Sequence, residues 1–413
     1  MSLLSRRKVL AFGAAGGVAA AATAAHAASF GNPDAPPQGA VNAKFGLSDP
    51  GPQNPALASQ FPQTQNPPAT DVGDLPQFWS SFNIAHKRIQ NGGWARQVTQ
   101  ADFAISEEES GVNMRLSAGG IRELHWHVAA EWGYMTYGRC RVTVLDERGR
   151  AYVEDVAEGD LWYFPAGQPH SLQGLGPDGC EFLIVFDDGK ASEFNTLLFT
   201  DMFIHTPPEV LAKNFGVPVE VFKSIPLNNL WIFQGKEPGP LEADRAAVRS
   251  GGLPPNPFTW SLKGSEPVKQ SRGGVLRVAD STTFKVSKTI AAALLTVKPG
   301  GIRELHWHPN AAEWQYYLAG QARMTVIGAG PRVQTADFRP GDIGYVEKSN
   351  AHFIENTGST DLTLLAVFRA PEYAEVSLSD WLAHTPPALV AQHLNIDPAE
   401  VAKFQNGWGF MPK

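Results

Sequence analysis

The nine residues GGIRELHWH at positions 119–127 occur again at positions 300–308, an interval of 181 positions. Two shorter stretches recur at nearly the same interval: AAEW at 129–132 and 311–314, and HTPP at 205–208 and 384–387. Stretches that recur in the same order mark one structural unit that is built twice. The sequence therefore predicts two tandem copies of one domain.

Short runs of alternating apolar and polar residues fill both copies, for example 141–145, 160–164 and 181–186 in the first. Turn residues separate these runs, and no helical pattern intervenes, which favours an antiparallel sandwich or barrel. Each copy ends with early prolines followed by helix-forming residues, at 206–216 and from 385 onward. We expect an all-β protein with short C-terminal helices.

The repeated nonapeptide contains a His-x-His pair. His125 and His127 lie two positions apart in a predicted strand, so their side chains face the same side. Glu131 follows beyond the next turn, and His170 lies further along the same copy. The second copy offers an equivalent set of four residues: His306, His308, Glu313 and His352.

A lone histidine is usually a hydrogen-bonded core or surface residue, but a doubled set of three His and one Glu favours metal ligands. Three imidazoles and one carboxylate leave two positions of an octahedral ion open, which points to Mn or Fe rather than to a closed structural zinc. His205 and His384 fall outside this spacing, at helix entrances, and we expect them to have structural hydrogen-bonding roles.

Composition narrows the function classes. The chain has 413 residues and a formal charge of −7, which disfavours nucleic-acid and anionic membrane surfaces and leaves small molecules as expected partners. Two cysteines exclude a disulfide scaffold and a thiolate metal site. We expect Cys140 and Cys180 to be packed thiols, with a disulfide as the alternative.

The N-terminal residues resemble a twin-arginine signal peptide: Ser5-Arg6-Arg7-Lys8 precedes an Ala/Gly-rich run that ends in Ala25-His26-Ala27. A membrane anchor is a poorer interpretation, because such a run gains little free energy in a bilayer. We therefore expect export to the periplasm or beyond and no stable membrane insertion. The predicted organisation is a signal at 1–27, an extended Pro-rich arm at 28–76, domains at 77–233 and 271–413, and a linker at 234–270.

The glycines and ligands together resemble the cupin superfamily. Gly119, His125, His127, Glu131 and Gly138 have the spacing of the first cupin motif. The motif recurs at Gly300, His306, His308, Glu313 and Gly320, and the second motif matches Gly159, Pro165, Gly167 and His170, and more loosely Gly341, His352 and Asn356. The resemblance implies a bicupin of two double-stranded β-helix jelly rolls, each with one metal.

Within bicupins the chain resembles the oxalate decarboxylase family. That family has an Arg before the His-x-His pair, matched by Arg122 and Arg303, and a Trp inside it, matched by Trp126 and Trp307. Its active-site lid has the form Ser-Glu-x-x-Thr, matched at 192–196 after the turn Phe-Asp-Asp-Gly at 186–189.

The resemblance implies Mn(II), two ions per chain, and dioxygen as co-catalyst for the conversion of oxalate to formate and carbon dioxide. Glu193 of the lid would be the proton shuttle, Arg122 would be catalytic, and Arg122, Arg303 and Thr196 would bind substrate. A homo-oligomer, a hexamer, is also implied.

Two departures from the family bear on chemistry. Ala366 lies where the family has a Glu near the second metal, although Tyr373 is retained, so we expect catalysis mainly at the N-terminal site. Phe194 lies in a lid that more often has small polar residues. Oxalate oxidase, or another bicupin dioxygenase, is therefore the alternative, and a storage or binding bicupin is disfavoured by eight intact ligand candidates.

Overall fold

The structure of the protein is a computed structural model that describes residues 52, 54–64, 67–68, 71, 75–248, 251–330, 332–404 and 409–411. The predicted signal peptide and much of the predicted arm lie outside the described residues. Contacts divide the chain into two compact units, Met1–Val72 with Thr335–Asp337 and Gly73–Gln334 with Phe338–Lys413. No helix in the described part is long and apolar enough to cross a membrane.

The first unit contains a short helix, α1 (Pro55–Gln60), where the sequence predicted an extended arm. The Asn54 side chain accepts a hydrogen bond from the Leu57 N–H (3.1 Å), and Pro55 occupies the first helical position. An Asn cap followed by Pro is a strong helix start, and this local signal outweighs the Pro-rich composition. A 3-10 turn follows at Pro62–Thr64.

The second unit contains both copies of the repeat except Thr335–Asp337, which belong to strand β20 below. Its strands in chain order are β1 (Trp79–Ser81), β2 (Lys87–Gln90), β3 (Gly93–Val98), β4 (Ser110–Leu116), β5 (Gly120–Trp126), β6 (Glu131–Leu145), β7 (Ala151–Ala157), β8 (Asp160–Phe164), β9 (His170–Gly174), β10 (Cys180–Phe186), β11 (Leu197–Leu198), β12 (Ile232–Gln234), β13 (Thr259–Ser261), β14 (Lys269–Ser271), β15 (Gly274–Ala279), β16 (Ala291–Val297), β17 (Ile302–Trp307), β18 (Glu313–Ala319), β19 (Ala322–Gly328), β20 (Arg332–Phe338), β21 (Asp342–Val346), β22 (Ala351–Asn356), β23 (Leu362–Phe368), β24 (Val376–Ser377) and β25 (Phe410–Met411). Its helices are α2 (Phe199–Ile204), α3 (Pro208–Phe215), α4 (Leu241–Ala247), α5 (Leu378–Ala383), α6 (Pro387–Leu394) and α7 (Pro398–Val401).

The prediction of two all-β jelly rolls with short C-terminal helices is confirmed. The first copy forms a sheet system in which the long strand β6 pairs with β10 and β8 at one end and with β7 and β9 at the other. In the second copy the segment equivalent to β6 is divided into two strands, β18 and β19, which belong to two different sheets. The pairings of β6 with its four neighbours are antiparallel, as the sequence pattern predicted.

The segment 234–270, interpreted from sequence as a linker, contains α4, β13 and part of β14. Strand β13 pairs with β8 of the first copy, with Trp260 opposite Leu161. Conversely, β1, which precedes the first copy in the chain, pairs with β21 of the second copy, with Ser80 opposite Ile343. Short strands thus tie each copy to segments beyond its own barrel.

A shared hydrophobic core joins the two copies. Trp132 and Trp314, which are equivalent residues of the AAEW repeat, are both fully buried in one cluster with residues from both barrels. Trp314 packs on the backbone of β4, where a Cβ added to Gly111 would lie 2.5 Å from Cζ2 of the indole. A second cluster fills the inside of the first barrel.

Candidate metal centres

Strand pairing creates the first centre. His125 on β5 lies directly opposite His170 on β9, and His127 follows two positions later on the same face. Glu131, the first residue of β6, completes the set, and its Oε2 lies 3.1 Å from Nε2 of His127 and 3.3 Å from Nε2 of His170. The ligand atoms of these four buried residues all lie within 4.8 Å of one another.

Hydrogen bonds on the far side of the rings fix which nitrogen faces the centre. Nδ1 of His125 lies 2.5 Å from the Glu123 carbonyl, and Nδ1 of His170 lies 2.8 Å from the Gln168 carbonyl. A carbonyl only accepts hydrogen bonds, so Nδ1 carries the proton in both rings and Nε2 keeps its lone pair for a cation. Trp162 Nε1 donates to the remaining oxygen of Glu131 (2.8 Å) and holds that carboxylate in place.

The second centre repeats this arrangement. His306 on β17 lies opposite His352 on β22, and Oε2 of Glu313 lies 3.0 Å from Nε2 of His308 and 2.8 Å from Nε2 of His352. Backbone carbonyls again accept from Nδ1 of the three histidines. Here Gln315 donates to Glu313 (3.0 Å) in the role that Trp162 has in the first copy.

Both sets of residues fit a divalent metal ion. In the second centre, Nε2 of His308, Nε2 of His352 and Oε2 of Glu313 are buried and close together but form no hydrogen bond among the described residues. Nδ1 of each ring carries the proton, so Nε2, like the carboxylate, can only accept. Buried polar atoms without partners are costly, whereas a cation would satisfy all of them at once. Three nitrogen donors and one oxygen donor suit Mn or Fe with two positions left open.

The protonation states agree with metal binding. Burial lowers the pKa of His127 to about 4 and the pKa of His125 well below its usual value, so both rings are neutral at physiological pH. Burial alone would raise the pKa of Glu131, but the imidazoles of His170 and His127 outweigh it and hold that pKa below its usual value. The same balance keeps the pKa of Glu313 low. Neutral imidazole and ionised carboxylate are the ligand forms that bind metals.

A buried arginine lies beside each centre, but the two arginines have different partners. Arg122 donates to the Trp231 carbonyl (3.3 Å) and to the Thr196 hydroxyl (3.4 Å), and Oε1 of Glu193 lies 3.9 Å from its Nε. Burial lowers the pKa of Arg122, since no carboxylate is close enough to compensate fully. Arg122 therefore has capacity for an anionic substrate.

Arg303 is instead neutralised within the protein. Its guanidinium donates to the carboxylate of Glu375, to the Tyr373 hydroxyl (3.3 Å) and to the Gly409 carbonyl (2.9 Å), and Lys269 also pairs with Glu375. Burial would lower the pKa of Arg303, but Glu375 reverses the direction and raises it. Arg303 and Lys269 together lower the pKa of Glu375 to about 2 against the effect of its burial.

The register of the short strands shows why the copies differ. Leu197 pairs with Trp126 in the first copy, and Val376 pairs with Trp307 in the second. The residue before each of these is the one that faces the arginine, namely Thr196 in the first copy and Glu375 in the second. A neutral hydroxyl thus stands where the second copy has a carboxylate.

The residues 192–196, which we call the lid, lie beside the first centre. Ser192 accepts a hydrogen bond from the Phe194 N–H and begins a 3-10 turn at Glu193–Asn195. The Glu193 side chain is buried under this turn, while Phe194 is 67% exposed. The Thr196 hydroxyl lies 3.3 Å from Nδ1 of His127, so the lid ends in direct contact with a candidate ligand.

Comparisons with known proteins agree with this geometry. A family model described as Cupin matches residues 80–223 and 261–402. The chain is 49% identical over 345 residues to the oxalate decarboxylase OxdC of Bacillus subtilis, covering 84% of this chain and 89% of that protein. The chain belongs to the bicupin oxalate decarboxylase family.

Other relatives extend the match. A probable oxalate decarboxylase of Arthroderma benhamiae is 40% identical over 338 residues, covering 81% of this chain and 82% of that protein. A solved structure from work on the Mn(II) centres of Bacillus subtilis oxalate decarboxylase has a TM-score of 0.87 and 46% identity, covering 91% of this chain and 99% of that one.

The structure brings together the residues that the family resemblance singled out. All eight predicted ligands lie in the two clusters, and Glu193, Arg122 and Thr196 lie beside the first. Arg303 lies beside the second centre. Ala366 is buried on β23 opposite Gln315. The carboxylate that pairs with Arg303 belongs to Glu375, nine positions after Ala366.

The remaining histidines and cysteines that the sequence singled out lie outside the two clusters. His205 and His384 hydrogen-bond through Nδ1 to the carbonyls of Asp201 (2.9 Å) and Asp380 (2.7 Å). Cys140 and Cys180 are buried free thiols.

Four residues of the first site were not predicted from the sequence: Trp162, Glu123, Arg88 and Trp231. Glu123 had a signal, because it lies inside the repeated nonapeptide. Its carboxylate accepts the N–H groups of Leu230 (2.9 Å) and Trp231 (2.7 Å) and anchors that loop beside Arg122. Arg88 pairs with Glu193 across 105 positions of sequence, and nothing in the local pattern marks it.

Proposed function

We propose that the chain is a Mn(II)-dependent, dioxygen-requiring oxalate decarboxylase that converts oxalate to formate and carbon dioxide. The proposal rests on family membership, on two three-His-one-Glu clusters, and on the names of the relatives, which are oxalate decarboxylases from a bacterium and a fungus. One observation carries it for this chain: a buried arginine with unused capacity and a buried lid carboxylate lie together beside the first cluster.

The residues of the first centre have separate tasks in this reaction. Arg122 would bind a carboxylate of oxalate, because its charge is buried and only weakly compensated. The four ligands would hold Mn(II), which together with dioxygen would supply a transient one-electron oxidation of the substrate. The lid would exclude water from this pocket.

Glu193 would carry the proton. Its carboxylate takes the proton from the carboxyl group of the oxalate monoanion, the C–C bond breaks, and carbon dioxide leaves. Glu193 then returns the same proton to the remaining carbon, which gives formate. Atoms and charge balance, since one hydrogen oxalate anion gives one carbon dioxide and one formate.

We also propose that catalysis belongs mainly to the N-terminal site. The charge of Arg303 is already compensated by Glu375, which supports this assignment, because a substrate carboxylate would have to displace an internal one. The second centre, with its own metal, would then support structure or electron transfer. The role of Arg303 in substrate binding stays a prediction.

The test is a product analysis. Mn-loaded protein is incubated with isotopically labelled oxalate under air, and formate, carbon dioxide and peroxide are quantified. One formate per carbon dioxide is the expected result. Two carbon dioxide per peroxide without formate would identify an oxalate oxidase and would overturn the proposal.

Export and assembly remain proposals as well. We propose that the twin-arginine leader directs export to the periplasm or beyond, and that the chain forms a homo-oligomer, a hexamer. Exposed apolar residues on and near α2 and α3 support self-association, among them Met202, Val210, Phe215 and Val221. Light scattering coupled to size exclusion gives the mass directly, and a monomer would contradict the assembly.

A further inference from the structure

The shortest contact of the lid carboxylate is with an arginine outside the motifs. Nη2 of Arg88, on β2, lies 2.6 Å from Oε2 of Glu193, whereas Nε of Arg122 lies 3.9 Å from Oε1. The Nε and Nη1 groups of Arg88 are buried and have no acceptor among the described residues. The hydrogen bonding of Arg88 is thus directed at the lid.

Two aromatic rings enclose the same guanidinium. Cζ of Arg88 lies 4.6 Å from the Trp231 ring centroid and 5.4 Å from the Phe194 ring centroid, distances at which a cation is attracted to a ring face. The two rings are 6.2 Å apart and inclined by 70°. Phe194 belongs to the lid and Trp231 to the fixed part of the site, so Arg88 bridges the two.

The backbone of Trp231 is strained, and the second copy shows that the strain is avoidable. Trp231 has φ +54°, and the equivalent position in the second copy, which hydrogen-bonds Glu304 as Trp231 bonds Glu123, is Gly409 with φ +64°. Glycine adopts this conformation without steric cost, whereas a bulky residue does not. A strained backbone at a bulky residue beside the candidate site points to a function for its side chain.

We propose that Arg88 is a positioning residue that latches the lid shut, with Trp231 as its fixed platform and Phe194 as the aromatic contact from the lid. The proposal rests on the proposed function, in which Glu193 shuttles the proton. Arg88 aims the Glu193 carboxylate at the substrate pocket and keeps water out while the proton is held. Phe194 is then a working part of the closed lid.

Amide hydrogen exchange tests the latch directly. The Glu193 N–H donates to the side chain of Gln97 on β3 (3.0 Å), which lies outside the lid, so lid opening exposes this amide. Arg88→Gln should raise exchange in the peptide 192–196 at least tenfold, in metal-free and in Mn-loaded protein, without change in β6 peptides. Unchanged exchange in this variant would overturn the proposal.

Arg96→Gln is the matched control. Arg88 and Arg96 line one cavity of about 430 Å³, which the lid residue Glu193 also lines. Arg96 donates to the side chains of Asn113 (2.9 Å) and Asn83 (3.4 Å) rather than to Glu193. Its loss should leave lid exchange within twofold of wild type. An equal rise in exchange in both arginine variants would mean that the loss of any nearby positive charge loosens the lid, and it would contradict a specific latch at Arg88.

Two further variants test the latch by the same exchange measurement if Arg88→Gln does not fold. Phe194→Ser removes a mostly exposed ring and should raise lid exchange about threefold, and Arg88→Lys should give a rise between wild type and Arg88→Gln. No rise in Phe194→Ser would contradict the aromatic contact. In Mn-loaded protein given oxalate, Arg88→Gln should also increase peroxide relative to formate at least fivefold.

The two proposals fail differently. If wild-type protein produces no formate, the proposed function is wrong, and the exchange experiment still decides whether Arg88 holds the lid. If formate is produced but lid exchange and product ratio do not respond to Arg88→Gln, the latch alone is wrong.

Discussion

Thr196 and Glu375 are equivalent residues that give two nearly identical metal clusters different neighbours. In the first copy the buried guanidinium meets a hydroxyl, and in the second it meets a carboxylate that also binds Lys269. The nonapeptide is the same in both copies, so the difference in charge compensation comes from the chain that crosses over it. A single residue outside the repeat thereby separates an arginine with capacity for an anion from an arginine that already has a carboxylate partner.

Glu375→Gln should therefore destabilise the protein by about 3 kcal/mol, because it leaves two cations without their carboxylate, one of them fully buried. Denaturant unfolding of metal-free protein measures the change. Glu400→Gln is the matched control, since Glu400 pairs with Lys403 at an exposed position and its loss should cost about 0.5 kcal/mol or less. Equal effects of the two substitutions would refute the difference in environment.

Glu193→Gln should lower formate production at least 100-fold, because an amide cannot take up and return the proton. Metal content, measured by elemental analysis, should stay at the wild-type level, since Glu193 is not a ligand. Glu372→Gln is the control: it lies four positions before Val376, as Glu193 lies four before Leu197, and it is exposed. A comparable loss in Glu372→Gln would contradict the assignment of catalysis to the N-terminal site.

At the scale of elements, strand pairing decides which residues meet. The alternation in the sequence indicated which face His125 and His127 share, and the repeat indicated that His170 and His352 belong with them. The sequence could not indicate that β2 brings Arg88 to the lid. Alternation predicts which face of a strand a residue lies on, but not which other segments pack next to that strand. The Lys269–Glu375 pair, separated by 106 positions, was hidden for the same reason.

The contact between β4 and β18 is equally invisible in the sequence, and it depends on one missing side chain. A Cβ at Gly111 would lie 2.5 Å from Cζ2 of Trp314, which is fully buried in the core shared by both copies. Gly111→Ala should therefore cost about 1–3 kcal/mol by overpacking. Gly239→Ala, where a Cβ meets nothing within 4 Å, should be close to neutral. Denaturant midpoints that shift equally in the two variants would show that Trp314 relaxes freely.

At the scale of the whole molecule, the two barrels are joined by buried polar contacts as well as by the aromatic core. Glu109, which precedes β4 in the first copy, is fully buried, and its Oε1 accepts the N–H of Arg369 (2.8 Å), which follows β23 in the second copy. Burial raises the pKa of Glu109 well above the usual 4.5, and the nearby charge of Glu108 adds to the effect. The junction between the copies therefore contains a carboxylic acid that keeps its proton to a higher pH than an ordinary glutamate does.

This acid should make the stability of the junction depend on pH in a defined direction. Below pH 4.5 Glu109 is protonated in both folded and unfolded chains, so its contribution to stability is complete. As the pH rises above 4.5, the unfolded chain loses the proton while the folded chain keeps it, and stability falls by about 1.4 kcal/mol per pH unit until the folded pKa is reached.

The variant Glu109→Gln is neutral at every pH and can still accept the Arg369 N–H, so it removes this pH dependence of stability. Urea unfolding of both proteins at pH 5, 6 and 7 should show the variant gaining on wild type as the pH increases, while titrations common to both cancel in the difference. A constant difference across this range would mean that Glu109 is ionised in the folded protein and that the junction stabilises its charge.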